Sequence, residues 1–378
     1  MLMTPESTAP GSLDRPPRIW LVIGDKLGDN AQVEIIAAAL GWPCERKQLY
    51  FLAPYVFGKP PFKASLYHID KARSATLEPP WPDLVITIGR RSAMAALWIR
   101  EQSGGRTQIV LLGRPKRWLE KFALVIATPQ YCLPDRPNVL PIDLPLMRSN
   151  IAAVAAAAGA WQARLAALPR PLIAVLVGGQ TKPFVFDATV AGELLAQLGR
   201  IAAETGGTLY ITTSRRTQPA VVEALQTGLP PGAILYRWQA NDPANPYLAL
   251  LGLADRFIVS GDSISMLVEV ARLGKPLAIF PLPYQLAVVE RLRNALTRLV
   301  QPGAAGRRAP LQALGDGLYR LGLIGYSRDL TAVHELLIKR GLAVRLGEPF
   351  LPPGPQLLDD LPRVVVERIK ALLPGATA

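Results

Sequence analysis

Three polar stretches carry most of the chemistry this sequence offers, and each follows an apolar run of strand type. The first is Gly24-Asp25-Lys26-Leu27-Gly28-Asp29-Asn30-Ala31-Gln32, which gathers two carboxylates, an ammonium and two amides. Asp25 or Asp29 has the chemistry of a general base toward a hydroxyl acceptor. Gly24, Lys26, Gly28, Asn30 and Gln32 are then candidate substrate contacts. Gly24 and Gly28 lack the G-x-G-x-x-G spacing, so a nicotinamide site is not expected. The second stretch is Thr212-Thr213-Ser214-Arg215-Arg216-Thr217. Arginine recognises phosphate through paired hydrogen bonds, so Thr213, Ser214, Arg215, Arg216 and Thr217 read as an oxyanion cradle.

The third stretch runs from Ser260 through Gly261-Asp262-Ser263-Ile264-Ser265-Met266 to Glu269. Gly261 permits a tight turn, Asp262 and Ser263 are helix-capping types, and the amides of the helix start face a phosphate. Ser265 and Met266 open that helix, and Glu269, about one turn beyond Ser265, has the reach for two ribose hydroxyls. Gly178-Gly179, next to Thr181 and Lys182, allows backbone to approach a diphosphate, or simply makes a tight turn. Each stretch also has a plain structural reading as a capped helix or surface turn, which any α/β protein contains many times. His68 and His334 read as structural, and Cys44 and Cys132 as isolated thiols without metal spacing. No metal and no cofactor are expected.

These loops need a scaffold, and the chain supplies the same grammar twice. Arg18–Ile23 is a strand leading through Gly24 into a helix, followed by an irregular aromatic segment around residues 47–70. Asp83–Ile88, Gln108–Leu112 and Ala123–Ala127 are further buried strands, with Gly89-Arg90-Arg91-Ser92 turning into the helix Ala93–Gln102. Leu168-Pro-Arg-Pro171 is the expected linker. After it the pattern restarts with Leu172–Val177, the helix Thr189–Thr205, and strands Leu209–Thr212, Ala233–Tyr236, Arg256–Val259 and Pro276–Phe280. A helix over 285–299, a loop over 301–310 and an amphipathic helix over 361–373 complete the reading. Short continuous apolar runs alternating with helices predict two parallel sheets covered on both faces. The expected division is a disordered tail over 1–17, one Rossmann-like doubly wound domain over 18–167, a second over 168–350, and a tail helix over 351–378 near the domain junction.

Half the residues are hydrophobic and 19% are charged, which excludes a disordered chain and supplies two cores. The net charge of +13 is shared by both halves, with local clusters at Arg90-Arg91, Arg114-Pro-Lys116-Arg117, Arg291 with Arg293, and Arg307-Arg308. Phosphorylated substrates, an anionic membrane surface or a lipid-linked acceptor would use such a field, and so would an Arg-rich genome without any function. Nucleic acid is not the expected partner, because the charge is dispersed and no recognised module is present. The apolar run Ile151–Ala160 is too short to span a membrane, and the N-terminus has no signal pattern. A cytoplasmic location follows, with peripheral attachment to the inner membrane as an option.

Taken together, Gly24-Asp-Lys-x-Gly-Asp-Asn-x-Gln32, Pro82-Asp-Leu-Val-Ile, Gly178-Gly179, Thr213-Ser-Arg-Arg-Thr217 and Gly261-Asp-Ser-x-Ser-Met266 resemble the "elongated mitochondria" fission-factor family and its bacterial relatives. The resemblance spans roughly residues 18–345 and implies a GT-B-like fold, two Rossmann-like domains facing a central cleft. A looser similarity to nucleotide-sugar transferases maps their nucleotide-holding residues onto Gly261, Ser263, Ser265 and Glu269. The expected function is therefore a glycosyltransferase-like protein holding a nucleotide sugar between its domains. A nucleoside-diphosphate-sugar epimerase and a non-catalytic adaptor recruiting a protein partner are the alternatives.

Overall fold

The computed structural model describes residues 15–56, 60–147, 150–285, 309–321, 324–326, 328–357 and 363–375. The short aliphatic runs become strands buried along their length, since a parallel sheet with helices on both faces leaves no solvent side. The first sheet has four such strands, β1 (Ile19–Ile23), β3 (Leu84–Ile88), β4 (Gln108–Leu112) and β5 (Leu124–Ala127), between two more exposed edges, β2 (Cys44–Gln48) and β6 (Val139–Pro141). Their order is β2-β1-β3-β4-β5-β6, and every pair is parallel. The chain runs outward from β1 to β2 and then returns to place β3 on the other flank of β1. The switch point of strand order therefore lies between β1 and β3, where a doubly wound sheet offers its ligand crevice. Helices α1 (Leu27–Leu40), the short α2 (Ala53–Val56) and α3 (Arg90–Gln102) belong to this sheet.

The second sheet is built from β7 (Leu172–Leu176), β8 (Thr208–Thr212), β9 (Ile234–Tyr236), β10 (Arg256–Ser260), β11 (Leu277–Phe280) and β12 (Val344–Arg345). Its order is β12-β11-β10-β7-β8-β9, again all parallel, so the switch falls between β7 and β10. Its helices include α4 (Ile151–Ala166), α5 (Ala188–Thr205), α6 (Pro219–Thr227), α7 (Tyr247–Leu253) and α8 (Ile264–Arg272). Two parallel six-stranded sheets, each with one switch point, are two Rossmann-like doubly wound domains, as the restart in the sequence predicts.

The division of the chain differs from the expected one. One unit comprises residues 1–148, 292–329 and 359–378, and the other 149–291 and 330–358. The boundary moves from 167 to 148 because α4 packs on α7 and so joins the second unit. Gly252 of α7 allows this close approach, since a Cβ there would sit 2.8 Å from the Ala158 Cβ. The C-terminal helix Arg363–Lys370 returns to the first unit. It buries Val365, Ile369 and the following Leu373 against the α1 side of the sheet, alongside Ile36 and Leu40. Helix Ala309–Leu321 belongs to the first unit and helix Thr331–Lys339 to the second.

Three strands escaped the sequence reading. β2 carries Glu45, Arg46 and Lys47 on a half-exposed edge, while β6 and β12 are only three and two residues long. None has an apolar run to reveal it, and the segment expected to be irregular around 47–70 begins inside β2. The expected helix over 285–299, apart from Gln285, most of the loop over 301–310 and the clusters at Arg291, Arg293, Arg307 and Arg308 lie outside the described residues, as do residues 1–14 of the tail. Among the described residues no helix is long and apolar enough to cross a membrane.

Candidate functional site

At the switch point of the second unit the loops after β7, β8 and β10 meet around one carboxylate. The Asp262 side chain is fully buried. Its Oδ2 accepts the Gly179 amide at 2.8 Å and its Oδ1 accepts the Ser260 hydroxyl at 2.7 Å. Ser260 Oγ in turn accepts the Gly178 amide at 2.8 Å, and Arg216 Nη2 stands 3.5 Å from Asp262 Oδ2. Burial pushes the Asp262 carboxyl above the usual carboxylate range, although these donors and Arg216 pull it back. The two glycines serve this packing. A Cβ on Gly178 would lie 2.4 Å from Asp262 Oδ2, and one on Gly179 would lie 2.1 Å from the Arg216 carbonyl oxygen.

This arrangement redistributes the roles expected from the sequence. Asp262 does not cap the following helix, and Ser263, at the N-cap of α8, makes no side-chain cap. The Gly179 amide is already spent on Asp262. The hydroxyls after β8 are likewise spent: Thr213 Oγ1 accepts the Trp238 amide at 2.8 Å, and Thr217 Oγ1 accepts the Ser214 amide at 2.8 Å. Thr217 Oγ1 also donates to the Gly178 carbonyl, and Ser214 Oγ lies 3.1 Å from Thr217 Oγ1. Arg216 donates to Thr181 Oγ1 at 2.6 Å. Arg215 is exposed on the same loop. A Cβ on Gly261 would meet His334 at 2.9 Å, and His334 donates from Nε2 to the Gly261 carbonyl at 2.7 Å, a structural role.

Further along α8 the exposed Ser265 and the half-buried Glu269 share a face at i, i+4 spacing, and Met266 is partly buried. Glu269 Oε2 accepts the Tyr247 hydroxyl at 2.6 Å. Among the described residues no hydrogen bond to Oε1 is formed. Burial raises the Glu269 carboxyl above its ordinary range, with the Tyr247 bond opposing it, and burial beside Glu269 raises Tyr247 well above the usual phenol.

The first unit has its own cavity at its own switch point, about 670 Å³ in volume. Gly24, Asp25, Lys26, Asp29 and Asn30 from the β1–α1 connection line one side, and Gly89, Arg90, Arg91 and Ser92 from the start of α3 line another. Gln32 is not among its lining residues. Asn30 is buried and donates from Nδ2 to the Gly24 carbonyl at 2.8 Å, so it closes the loop instead of capping α1. Its Oδ1 is buried without a partner. Gly28 sits in the first turn of α1 with open space where a Cβ would go.

The two aspartates diverge. Asp25 is ion-paired to Arg91 at 3.1 Å. Asp29 lies 3.8 Å from Lys26, and burial raises its carboxyl above the usual range. Asp25 adds to that rise, while Lys26, Arg91 and Arg328 oppose it. A carboxylate lifted this way is the better general base near neutral pH. His68 stacks on Phe51 with ring centroids 5.8 Å apart and donates from Nε2 to the Arg91 carbonyl at 2.9 Å, so it supports the loop without reaching the cavity.

Residues that read in the sequence only as dispersed positive charge line this cavity. Arg90, Arg91, Arg114 and Lys116 all line the cavity, and each follows a strand end, which is the signal that could have found them. Arg328 lines it too, and no local pattern pointed to it.

Solved structures with a similar trace include CalG4, the calicheamicin glycosyltransferase, and the UDP-GlcNAc 2-epimerase of Methanocaldococcus jannaschii. The first is 13% identical with a TM-score of 0.43, covering 95% of this chain and 94% of that one. The second is 8% identical with a TM-score of 0.46, covering 94% and 99%. Likenesses at this level bear on neither substrate nor reaction. Among sequence relatives, the Mitochondrial fission protein ELM1 of Arabidopsis thaliana is 28% identical over 227 residues, 54% of this chain and 52% of that protein. The chain thus spans about half the length of that relative. Uncharacterized protein RP120 of Rickettsia prowazekii (strain Madrid E) is 26% identical over 299 residues, 69% of this chain and 82% of that one. The family model described as Mitochondrial fission ELM1 matches residues 28–309, most of the chain, and the protein therefore belongs to the mitochondrial fission ELM1 family.

Proposed function

We propose that this chain binds a nucleotide-activated sugar and acts as a glycosyltransferase of GT-B-like type. The observation that carries the reading is Glu269, a half-buried carboxylate with one oxygen held by Tyr247 and, among the described residues, no bond formed at the other, on the helix that leaves the switch point of the second unit. Such a group suits a pair of ribose hydroxyls, which need an acceptor fixed in place. The start of α8, with Ser263 making no cap and Ser265 exposed, suits the diphosphate, and Arg215 and Arg216 add charge to hold it as it departs. In the first unit Asp29 is the base toward an acceptor hydroxyl, in preference to Asp25, whose charge is spent on Arg91. No metal and no cofactor are part of this scheme. An epimerase would use the same donor site and turn over donor without any acceptor.

The adaptor reading has one specific observation in its favour. Asp262 occupies the Gly179 amide and faces Arg216, groups that a diphosphate would otherwise take. A thermal-shift panel of nucleotides and nucleotide sugars, run on the wild type and on Glu269→Gln, separates the readings. A ligand at about a hundred times its Kd adds about 2.7 kcal/mol. The expected result is a stabilising nucleotide sugar whose effect is lost in Glu269→Gln. Silence across the panel from a folded sample overturns the transferase reading and leaves the adaptor.

A further inference from the structure

The cavity of the first unit has a charge balance that the transferase reading does not use. Six cationic side chains line it, Lys26, Arg90, Arg91, Arg114, Lys116 and Arg328, against the two carboxylates of Asp25 and Asp29. Asp25 is ion-paired to Arg91 at 3.1 Å, while Asp29 makes only a long contact of 3.8 Å with Lys26. Among the described residues no carboxylate stands within ion-pairing distance of Arg90, Arg114 or Arg328, although Asp29 and Arg328 are close enough to act on each other. Arg90 donates to the Pro60 carbonyl and Arg114 to the Tyr326 carbonyl, which fixes the guanidinium groups without neutralising them. Arg91 is fixed the same way by the carbonyls of Tyr55 and Val56, at 2.8 Å each. Partial desolvation of Arg114 and the neighbouring Arg328 both work against its charge. Cations held in place, partly desolvated and facing one another are stabilised by an anion between them.

The backbone points the same way. α1 starts at an N-cap, Lys26, and α3 at an N-cap, Gly89, and neither makes a side-chain cap; the first residues of α3, Arg90 to Ser92, line the cavity. The cations come from four separate segments, the β1 and β3 ends, the β4 end and residue 328. One carboxylate engages one guanidinium fork, whereas donors spread over four segments fit a ligand with many acceptor oxygens. The volume, about 670 Å³, is that of a small-molecule site.

We propose that the switch-point cavity of the first unit binds a phosphoryl anion of the diphosphate class, carried by the acceptor. The acceptor role rests on the transferase reading above, whereas the binding of the anion does not. A phosphorylated acceptor places its anion against Arg90, Arg114 and Arg328 and its hydroxyl toward Asp29.

The test is calorimetric titration of the full chain with inorganic pyrophosphate at fixed ionic strength. The wild type binds, and Arg328→Glu weakens binding by at least about tenfold, since the lost contact is charge-assisted. Arg328 is exposed, so the fold is expected to survive, and an unchanged thermal transition verifies it. Arg114→Lys, which keeps the charge and loses the fork, weakens binding as well. Arg237→Glu, the same charge change on an exposed side chain of the second unit, leaves it unchanged. Absence of binding to the wild type overturns the proposal. So does equal binding by Arg328→Glu, or loss of binding in Arg216→Ala with Arg328→Glu intact. Cosedimentation with phosphatidylcholine vesicles with and without phosphatidic acid identifies the source. Recruitment by phosphatidic acid that pyrophosphate reverses means a lipid-borne headgroup, and pyrophosphate binding without recruitment means a soluble ligand. A silent nucleotide-sugar panel beside intact pyrophosphate binding would remove the acceptor role and leave the anion site standing.

Discussion

Replacing Asp262 with alanine should destabilise the second unit much more than it alters any ligand site. The carboxylate ties together the loops after β7, β8 and β10, through Gly179 N at 2.8 Å, Ser260 Oγ at 2.7 Å and Arg216 at 3.5 Å. Each bond to an ionised acceptor is worth about 1.5–3 kcal/mol net, and truncation leaves the buried Gly179 N–H without a partner. Against this stands the desolvation of the charge, visible in the raised Asp262 carboxyl. The balance is a loss of about 3 kcal/mol, within the range for breaking one side of a buried ionic contact. For a unit of this size that is a drop of about 6–12 °C in its transition, read by calorimetry or by urea unfolding. Asp262→Asn keeps the shape, and its amide can still accept from Gly179 and donate to Ser260, so it should cost less than about 1.5 kcal/mol. If Asp262→Ala shifts stability by under about 1 kcal/mol while abolishing nucleotide-sugar binding, the carboxylate is a ligand group and the structural assignment is wrong.

Three other outcomes follow from particular contacts. Gly179→Ala forces a Cβ to within 2.1 Å of a backbone oxygen and should lower the stability of the second unit by about 3 kcal/mol or more, whereas Gly28→Ala, with open space around it in a helix, should be neutral or stabilising by up to about 1 kcal/mol in urea melts. Asp262 and Glu269 both titrate above their ordinary values when folded, so the folded state binds protons more tightly than the unfolded. Their contribution is fully present below the unfolded values and is lost as pH rises through the folded ones. The double variant with Asp262→Asn and Glu269→Gln should therefore lose this fall, its Tm rising relative to the wild type as pH increases through the acidic range, and a curve parallel to the wild type would contradict the assignment. Ile369→Ala, near the end of the chain, should cost the first unit about 2–5 kcal/mol in the same melts, because the side chain is fully buried in its core.

The sequence carried the two sheets because parallel strands buried on both faces read as apolar runs, and ten residues of Val-, Ile- and Leu-rich β1 and β3 leave no other assignment. The edges were hidden for the opposite reason. β2, with Glu45-Arg46-Lys47, takes its place from backbone pairing to β1, which leaves no hydrophobic trace. The domain boundary was missed because Pro169 and Pro171 look like a linker, while the packing that assigns α4 to the second unit depends on small residues such as Ala158 and Gly252, which have no local signature. Every candidate loop does follow a strand end, after β1, β7, β8 or β10. That position could not say which polar atoms were spent internally: Thr213, Thr217 and Asp262 are ligand-like by type and structural by contact.

The two switch points answer the same topological problem with opposite charge. One step beyond the glycine that follows the switch strand, the first unit has Arg90 after Gly89, and the second has Asp262 after Gly261. In the second unit that residue folds inward and takes the glycine amide of the neighbouring loop, so an internal carboxylate sits where an external anion would. In the first unit Arg90 is anchored on the Pro60 carbonyl, Asp25 is paired with Arg91, and Asp29 stands 3.8 Å from Lys26. An anion entering the second unit must compete with Asp262 for Arg216, whereas among the described residues no carboxylate stands within ion-pairing distance of Arg114 or Arg328 in the first. The electrostatic preference for an anion therefore belongs to the first unit. A nucleotide in the second must be held chiefly by Glu269, the start of α8 and Arg215, an order of importance that substitutions at Glu269 and Arg216 can rank directly.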